Sequence, residues 1–466
     1  MKFADRFVYA FRTVLPSPFT IAVLLTAFVF VCALLFTVPA DVSLPRYAST
    51  LAVDWYHGVW NAPLIVFAFQ MMFMLVLGHA VALSTPVDRV LSLVSGRVAH
   101  SSATAALVVT AVTISVAWVN WGLGLIVGAV LARKVGEAAA RAGSALNYAL
   151  IGACGYAGLM VWHGGISGSS LIKVVESGNI RTMATGTGLS KAQVAALPES
   201  MTFAETVFSP FNLTLSLVLL IALPALMGWM GKRSNKTTAL PEVQSQPALP
   251  EPEGYAAEKL DFSKALCIGV GGAVLGLMVY KACLNQGAYP LKWLNPNWIN
   301  TALLGAALVL HGRFVSFFKA LDSAVGGASG ILVQFPLYFG ILALMKSSGM
   351  IGGISAFFVE LADGAPGSYP LITFFSAGLV NVFVPSGGGQ WAVQGPIIIE
   401  SATQLGVPLN KSILAMAYGD QLTNMLQPFW ALPLLSITGL KARDILPYTL
   451  LLLAAGMVIF GIALVL

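Results

Sequence analysis

Residues Val380–Pro396 read Val-Asn-Val-Phe-Val-Pro-Ser-Gly-Gly-Gly-Gln-Trp-Ala-Val-Gln-Gly-Pro, and this stretch decides how the rest of the chain is interpreted. It lies in an apolar part of the sequence, yet it contains three consecutive glycines, two prolines and several amide side chains. A helix broken at membrane depth survives only where its free backbone groups are buried in protein or line a cavity. Such interruptions are typical of transporter binding sites. The alternative is a Gly-rich turn between two helices outside the bilayer.

The composition indicates a polytopic helical membrane protein. Of the 466 residues, 57% are hydrophobic and only 9% are charged, whereas soluble domains carry about 25% charged residues. The net charge of +6 comes from basic residues scattered among loops, which argues against nucleic acid as a partner. Most of these residues fall in segments that are cytoplasmic if the N-terminus is cytoplasmic, so we predict that orientation. The four cysteines show no CxxC spacing and are interpreted as core residues.

The predicted fold class is all-α, with about nine full crossings and two re-entrant helical hairpins. Each hairpin arm is about 12–16 residues long, which is marginal for a crossing. We place the hairpins at 102–132 and 369–400 and the crossings at 19–39, 60–83, 146–170, 208–230, 264–284, 299–312, 323–347, 412–436 and 446–466. The predicted units are a first membrane repeat, a cytoplasmic linker, a connecting helix with an outer loop, and a second, inverted membrane repeat, at 1–231, 232–263, 264–298 and 299–466.

The two halves match each other by spacing. At similar intervals, each half contains a buried Gln, a hairpin with a central Asn and then an interrupted helix. The corresponding residues are Gln70, Asn120 and His163 in the first half and Gln334, Asn381 and Asn424 in the second. One extra crossing at 264–284 inverts the second half. Inverted repeats place a substrate site near the bilayer midplane, where the interruptions converge.

The four interruptions are rich in Gly, Ser and amide side chains. Glycine lets the backbone turn and approach a ligand closely, and prolines free carbonyl groups that can face a cation. A helix that begins after the three glycines would direct its amide groups at an anion. We predict that the substrate contacts Asn120, Trp121, Gly122, Gly164, Gly165, Ser167, Ser169, Asn381, Pro385, Ser386, Gly387, Gly388, Gly389, Gln390 and Trp391.

Asp420 is the acidic residue that we place deep inside a predicted crossing. A carboxylate in a membrane is a candidate cation ligand or proton carrier. The alternative is that Asp420 only pairs with Gln421 or Asn424 to stabilise the break, and His163 could equally be a packing residue. We predict ion coupling by Asp420, Gln421, Asn424 and His163, with H⁺ or Na⁺ as the ion and without another cofactor or metal.

The interruptions contain no Lys or Arg, which favours a small anion of single charge over a di- or tricarboxylate. Backbone amides and serine hydroxyls can hold one carboxylate group. An apolar tail would then contact tryptophans, for which the candidates are Trp118, Trp121, Trp391 and Trp430. The alternative is that these tryptophans only pack or lie at the membrane interface.

These motifs resemble the short-chain fatty acid transporter family over essentially the whole chain. The resemblance is carried by Val380–Pro396, Ala415–Pro433, Gly330–Pro336 and Val119–Gly128. It implies uptake of short monocarboxylates, such as acetoacetate or butyrate, across a bacterial inner membrane. It also implies membership of the ion-transporter superfamily, in which hairpins carry the substrate, inverted repeats move as an elevator and homodimers are common. The family has Glu where this chain has Asp420, so the charge is kept on a shorter side chain.

Other functions remain open at this point. A membrane-embedded enzyme would need a metal or nucleophile motif, and the sequence contains no HExxH motif, CxxC pair or carboxylate pair in an apolar segment. We therefore predict that the protein is not an enzyme. A passive carboxylate channel and a carrier of other organic anions or ions are the remaining alternatives.

Overall fold

A computed structural model describes residues 17–185, 187–233, 258–284, 295–362, 365–383 and 387–466. These residues are mainly helical, and no β-strand occurs among them. Most of the predicted linker 232–263 lies outside the described residues. The same is true of Pro385 and Ser386, two of the predicted substrate-binding residues.

The first half alternates long apolar helices with shorter, more polar ones. Its helices are α1 (Pro18–Phe36), α2 (Leu44–Val59), α3 (Ala62–Leu83), α4 (Thr85–Val98), α5 (Ser102–Val119), α6 (Trp121–Ala142), α7 (Tyr148–Tyr156), α8 (Ser169–Lys173), α9 (Asn179–Ala184), α10 (Lys191–Ala196) and α11 (Pro210–Arg233). Sequence analysis did not predict α2 or α4. Both are amphipathic and contain charged residues, so the sequence has no continuous apolar segment at either place.

The second half follows a similar order. Its helices are α12 (Glu258–Asp261), α13 (Lys264–Leu284), α14 (Pro296–His311), α15 (Phe314–Val325), α16 (Ser329–Ser347), α17 (Met350–Glu360), α18 (Tyr369–Phe383), α19 (Gly387–Leu405), α20 (Leu409–Thr423), α21 (Pro428–Thr438) and α22 (Ala442–Val465). Helices α15 and α16 are joined by a short 3₁₀ turn at Gly326–Ala328. Sequence analysis also missed α17, which lies between the predicted crossing 323–347 and the second hairpin.

Among the described residues, seven helical stretches are long and apolar enough to cross a membrane, judged by length and composition. Together with many large apolar side chains exposed on the surface, they make this a multi-pass membrane protein. Three of the four hairpin arms are longer than the predicted 12–16 residues: the first hairpin has arms of 18 and 22 residues, and the second has arms of 15 and 19. The seven stretches are Pro18–Phe36, Ala62–Leu83, Ser102–Val119, Pro210–Arg233, Lys264–Leu284, Phe314–Ser347 and Ala442–Val465.

Small residues bring the interrupted elements into close contact. Helices α6 and α7 cross at Gly128 and Gly155, where a Cβ on either glycine would collide with the backbone carbonyl of the other. In the second half, α18 packs closely on α20, and a Cβ on Gly419 would collide with the Phe374 carbonyl. Small residues at helix crossings allow such close backbone approach in membrane proteins. These crossings hold each broken helix against a hairpin arm.

Candidate functional site

The tip of the first hairpin is formed by Asn120. Its extended backbone (φ −150°, ψ 122°) ends α5, and its side-chain oxygen accepts a hydrogen bond from the Leu123 N–H at 3.0 Å. It is therefore the N-cap that starts α6. Gly122 follows in the first turn, where a Cβ would lie 2.5 Å from the Met74 sulfur. The tip thus combines a capping amide with a glycine that packs against the Met74 side chain.

The first broken helix is fastened to this tip. Helix α7 tightens into a 3₁₀ turn over Ala157–Met160, and irregular backbone then continues to α8. The Ile166 N–H donates to the Trp118 carbonyl at 2.8 Å, and the Trp121 N–H donates to the Ser167 hydroxyl at 3.0 Å. A Cβ on Gly165 would overlap the same Trp118 carbonyl oxygen. Glycine at this position is what allows the loop to approach the hairpin.

Asn381 connects the second hairpin to the second broken helix. Its side-chain amide donates to the Asp420 carbonyl at 2.6 Å and to the Asn424 side-chain oxygen at 3.0 Å. The Gln427 side-chain amide donates in turn to the Asn381 carbonyl. Asn381 lies near the end of α18, and α20 passes through a 3₁₀ turn at Asn424–Leu426. The amides predicted from sequence therefore hold this interruption together.

Gln421 joins the two broken helices to each other. Its side-chain oxygen accepts hydrogen bonds from the His163 and Gly164 N–H groups at 3.0 and 3.1 Å. The Tyr156 hydroxyl adds a second link by donating to the Asn424 carbonyl at 2.8 Å. The predicted convergence of the interruptions is thus seen as direct hydrogen bonds between residues far apart in sequence.

His163 faces Asp420 at this junction, and both side chains are fully buried. The Ser170 backbone N–H donates to His163 Nε2 at 3.1 Å. Because Nε2 accepts this bond, the ring proton lies on Nδ1. Nδ1 lies 3.1 Å from Asp420 Oδ1. The ring therefore presents its Nδ1–H group to the Asp420 carboxyl group.

Three oxygens at this junction have no hydrogen-bond partner among the described residues. They are Asp420 Oδ2 and the side-chain oxygens of Asn381 and Gln427, whereas Asp420 Oδ1 faces His163 Nδ1. Carboxylate and amide oxygens are the ligands that small hard cations prefer. The donor set therefore fits Na⁺ better than a transition metal, and within the described ranges no group of three or more His, Cys, Asp or Glu could hold a metal.

A cavity of about 550 Å³ lies beside this junction. The two hairpin tips and the first broken helix contribute to its wall, and indole rings form a large part of the apolar surface. Trp121 lies 5.1 Å from Trp430 and 5.9 Å from Trp162, measured between ring centroids. Of the residues predicted to bind substrate, those that line this cavity are Asn120, Trp121, Ser167, Ser169, Gly387 and Gly388.

Seven other predicted residues that the structure describes do not line the cavity. Gln390 donates to the Ala377 carbonyl at 2.8 Å and so ties the two arms of the second hairpin together. The Trp391 indole N–H lies 3.4 Å from the Asn179 side-chain oxygen. The further predicted residues that do not line the cavity are Gly122, Gly164, Gly165, Asn381 and Gly389.

Two of the four candidate tryptophans, Trp121 and Trp430, line the cavity. Trp118 instead donates to the Ser216 hydroxyl at 3.2 Å. Sequence analysis missed Trp162, although it directly precedes His163 in a segment already singled out. It also missed Lys173 and Glu176, which bring charge to the cavity.

Comparisons with known proteins point to the same family over nearly the whole chain. A family model described as "Short chain fatty acid transporter" matches residues 1–466. An Escherichia coli K12 protein with the name "Putative short-chain fatty acid transporter" is 35% identical, covering 100% of this chain and 98% of that protein. A Haemophilus influenzae protein of the same name is also 35% identical, covering 96% of each chain.

Two solved structures are more distant. The Alcanivorax borkumensis YdaH transporter has a TM-score of 0.44 at 15% identity and covers 96% of this chain and 98% of its own. Neisseria gonorrhoeae MtrF, described as illuminating a class of antimetabolite efflux pumps, has a TM-score of 0.38 at 14% identity, with coverage of 98% and 97%.

Proposed function

The chain belongs to the short chain fatty acid transporter family, and from this premise we propose that it takes up small monocarboxylates, such as acetoacetate or butyrate, across a bacterial inner membrane. The family and the relatives are transporters and not enzymes. The proposed process is secondary active transport, in which the carboxylate enters together with H⁺ or Na⁺.

The cavity between the hairpin tips is the observation that carries the proposed substrate class. Its wall combines three indole rings with a few polar groups, among them Ser167 and Ser169. Hydroxyls can hold one carboxylate group, and the indoles can cover a short apolar tail. Cavities of about 300–1,000 Å³ accommodate drug-sized ligands, so the space is larger than a four-carbon acid requires.

The buried Asp420 carboxylate supports coupling to a cation. Its Oδ1 faces His163 Nδ1, and its Oδ2 has no hydrogen-bond partner among the described residues. An uncompensated charge buried in this way is costly unless a cation or a proton joins it. The site is built from Asp420, Gln421, Asn424 and His163, and the Asn381 and Gln427 oxygens would complete it. A bound cation would also offset the negative charge of the substrate.

The finer architecture is proposed on the same basis. Two inverted repeats related through Asn120 and Asn381 would move the hairpins as an elevator, and two protomers would form a homodimer, as the family resemblance implies. The N-terminus would be cytoplasmic, which places residues 169–209 and the mouth of the cavity outside. The capping of α6 by Asn120 and the bonds from Asn381 to α20 support a common role for these amides at the two tips.

Uptake of labelled butyrate into proteoliposomes tests the proposed substrate. Initial rates should saturate with butyrate concentration, and unlabelled acetate, butyrate and acetoacetate should compete, whereas succinate and citrate should not. Rates that rise linearly with concentration would indicate a channel. Strong competition by succinate or citrate would indicate a carrier of other anions.

A further inference from the structure

Two charged residues, Lys173 and Glu176, line the cavity, and both side chains are exposed to solvent. The Lys173 ammonium nitrogen lies 3.0 Å from each carboxylate oxygen of Glu176. Among the described residues of the cavity wall, Lys173 carries the sole positive charge. The cation that could attract a carboxylate into the cavity is therefore already in contact with a carboxylate of the same chain.

The chain holds this pair in a fixed position. The intervening residues Val174 and Val175 are buried, and the Met201 N–H donates to the Val174 carbonyl at 2.8 Å. The Glu176 N–H donates to the Lys173 carbonyl at 3.1 Å, which closes a turn. Ser169 lies one helical turn before Lys173 in α8 and also lines the cavity. The backbone that carries Lys173 is thus held in place, and Lys173 and Ser169 line the same cavity.

The pair itself is weak. The Lys173 side chain is 48% exposed and that of Glu176 is 36% exposed. Exposed ion pairs at this spacing contribute little free energy, because water screens the charges and both side chains lose rotamer freedom. A carboxylate from solution can therefore replace Glu176 on Lys173 at small cost. A buried pair, such as Lys134 with Glu137, would not exchange so readily.

We propose that Lys173 is the first contact of the substrate carboxylate, and that Glu176 is an intramolecular competitor that occupies the ammonium group until the substrate displaces it. This inference rests on the proposed function, because it requires a carboxylate substrate. Glu176 then sets the apparent affinity from outside and disfavours anions that bind Lys173 only weakly. The substrate would pass from Lys173 to the hydroxyls and indoles deeper in the cavity.

A double-mutant cycle on butyrate uptake tests the proposal. Lys173→Gln should raise KM about two- to fivefold with Vmax retained, and Glu176→Gln should lower KM by a similar factor. In the Lys173→Gln background, Glu176→Gln should have no further effect, because the competitor no longer has a target. Lys173→Arg should restore a KM near that of wild type. The dependence of KM on ionic strength should weaken in Lys173→Gln.

Lys191→Gln is the matched control, because Lys191 is an exposed lysine in the same outer segment and does not line the cavity. Its KM should equal that of wild type. If wild type transports butyrate but KM is unchanged in Lys173→Gln and Glu176→Gln, this inference is wrong and the proposed function still stands. A raised KM in Glu176→Gln would also overturn this inference, since Glu176 would then assist binding. Absence of butyrate uptake by wild type would overturn the proposed function and this inference with it.

Discussion

His163 Nδ1 lies 3.1 Å from Asp420 Oδ1 in the centre of the protein, while His163 Nε2 accepts the Ser170 backbone N–H. The contact with Ser170 determines where the ring proton lies. Because Nε2 accepts a hydrogen bond, the ring is neutral and its proton, on Nδ1, is directed at the carboxylate. The two residues belong to the two broken helices, one in each half of the chain. Their contact joins the two interruptions.

Replacing Asp420 by Asn should uncouple transport from the ion gradient. The amide keeps the size of the side chain but removes the charge that a cation or proton would balance. We expect Asp420→Asn proteoliposomes to lose gradient-driven accumulation of butyrate while retaining exchange of labelled for unlabelled butyrate. Parallel measurements of accumulation and exchange check this. Unchanged accumulation would remove Asp420 from the coupling site.

Replacing His163 by Phe should destabilise the junction. The change leaves Asp420 without its ring N–H and the Ser170 N–H without its acceptor, and an unsatisfied buried polar group costs about 1–3 kcal/mol. We expect a lower midpoint of thermal unfolding in detergent and a lower rate of butyrate uptake. The exposed His100 provides the control, because His100→Phe should leave both quantities unchanged. Equal midpoints for the two variants would contradict the role of His163.

Gly165→Ala should disrupt the contact between the first broken helix and the first hairpin. The new methyl group would overlap the Trp118 carbonyl oxygen, and such overpacking costs about 1–3 kcal/mol. Reduced thermal stability and loss of uptake are expected together. Gly461→Ala in α22 is the matched control, since a Cβ there meets no atom within 4 Å. A stable and active Gly165→Ala protein would show that the loop tolerates displacement.

Trp430→Ala should weaken selection for longer tails. Trp430 packs edge-on against Trp121 at the cavity wall, and each buried methylene group of a ligand contributes about 0.8 kcal/mol. We therefore expect the preference for butyrate over acetate, measured as a ratio of competition constants, to fall several-fold. Trp118→Ala is the control, because Trp118 does not line the cavity. Equal ratios in both variants would exclude Trp430 from binding the tail.

The sequence was most informative where physical chemistry allows few solutions. An apolar chain that places Asn120, Asn381 and Asp420 within its membrane segments is expected to bury them, and all three are buried, with Asn381 bonded to α20. Long apolar helices were placed to within a few residues, as in Lys264–Leu284. The amphipathic helices α2 and α4 were missed because hydropathy alone does not distinguish them from loops, and α17 was missed because its 11 residues are too few to cross a membrane.

The composition of the cavity could not be derived in the same way. Lys173 lies in a segment predicted to be outside the membrane, and only the fold brings it beside Ser169 and Trp121. The four interruptions contain no Lys or Arg, but the cavity wall does contain a lysine, Lys173. Trp391 is the opposite case. It lies in Val380–Pro396 and was predicted to contact the substrate, but it does not line the cavity, and its indole N–H lies near Asn179.

The central claim is that this protein carries a small carboxylate together with a cation. Its most direct test is the accumulation of labelled butyrate in proteoliposomes under an imposed inward Na⁺ gradient, and separately under an imposed inward H⁺ gradient. The account predicts that one of the two gradients drives the internal butyrate concentration above the external one, and that the concentrations become equal when this gradient is dissipated. Equilibration without accumulation under both gradients would contradict the claim.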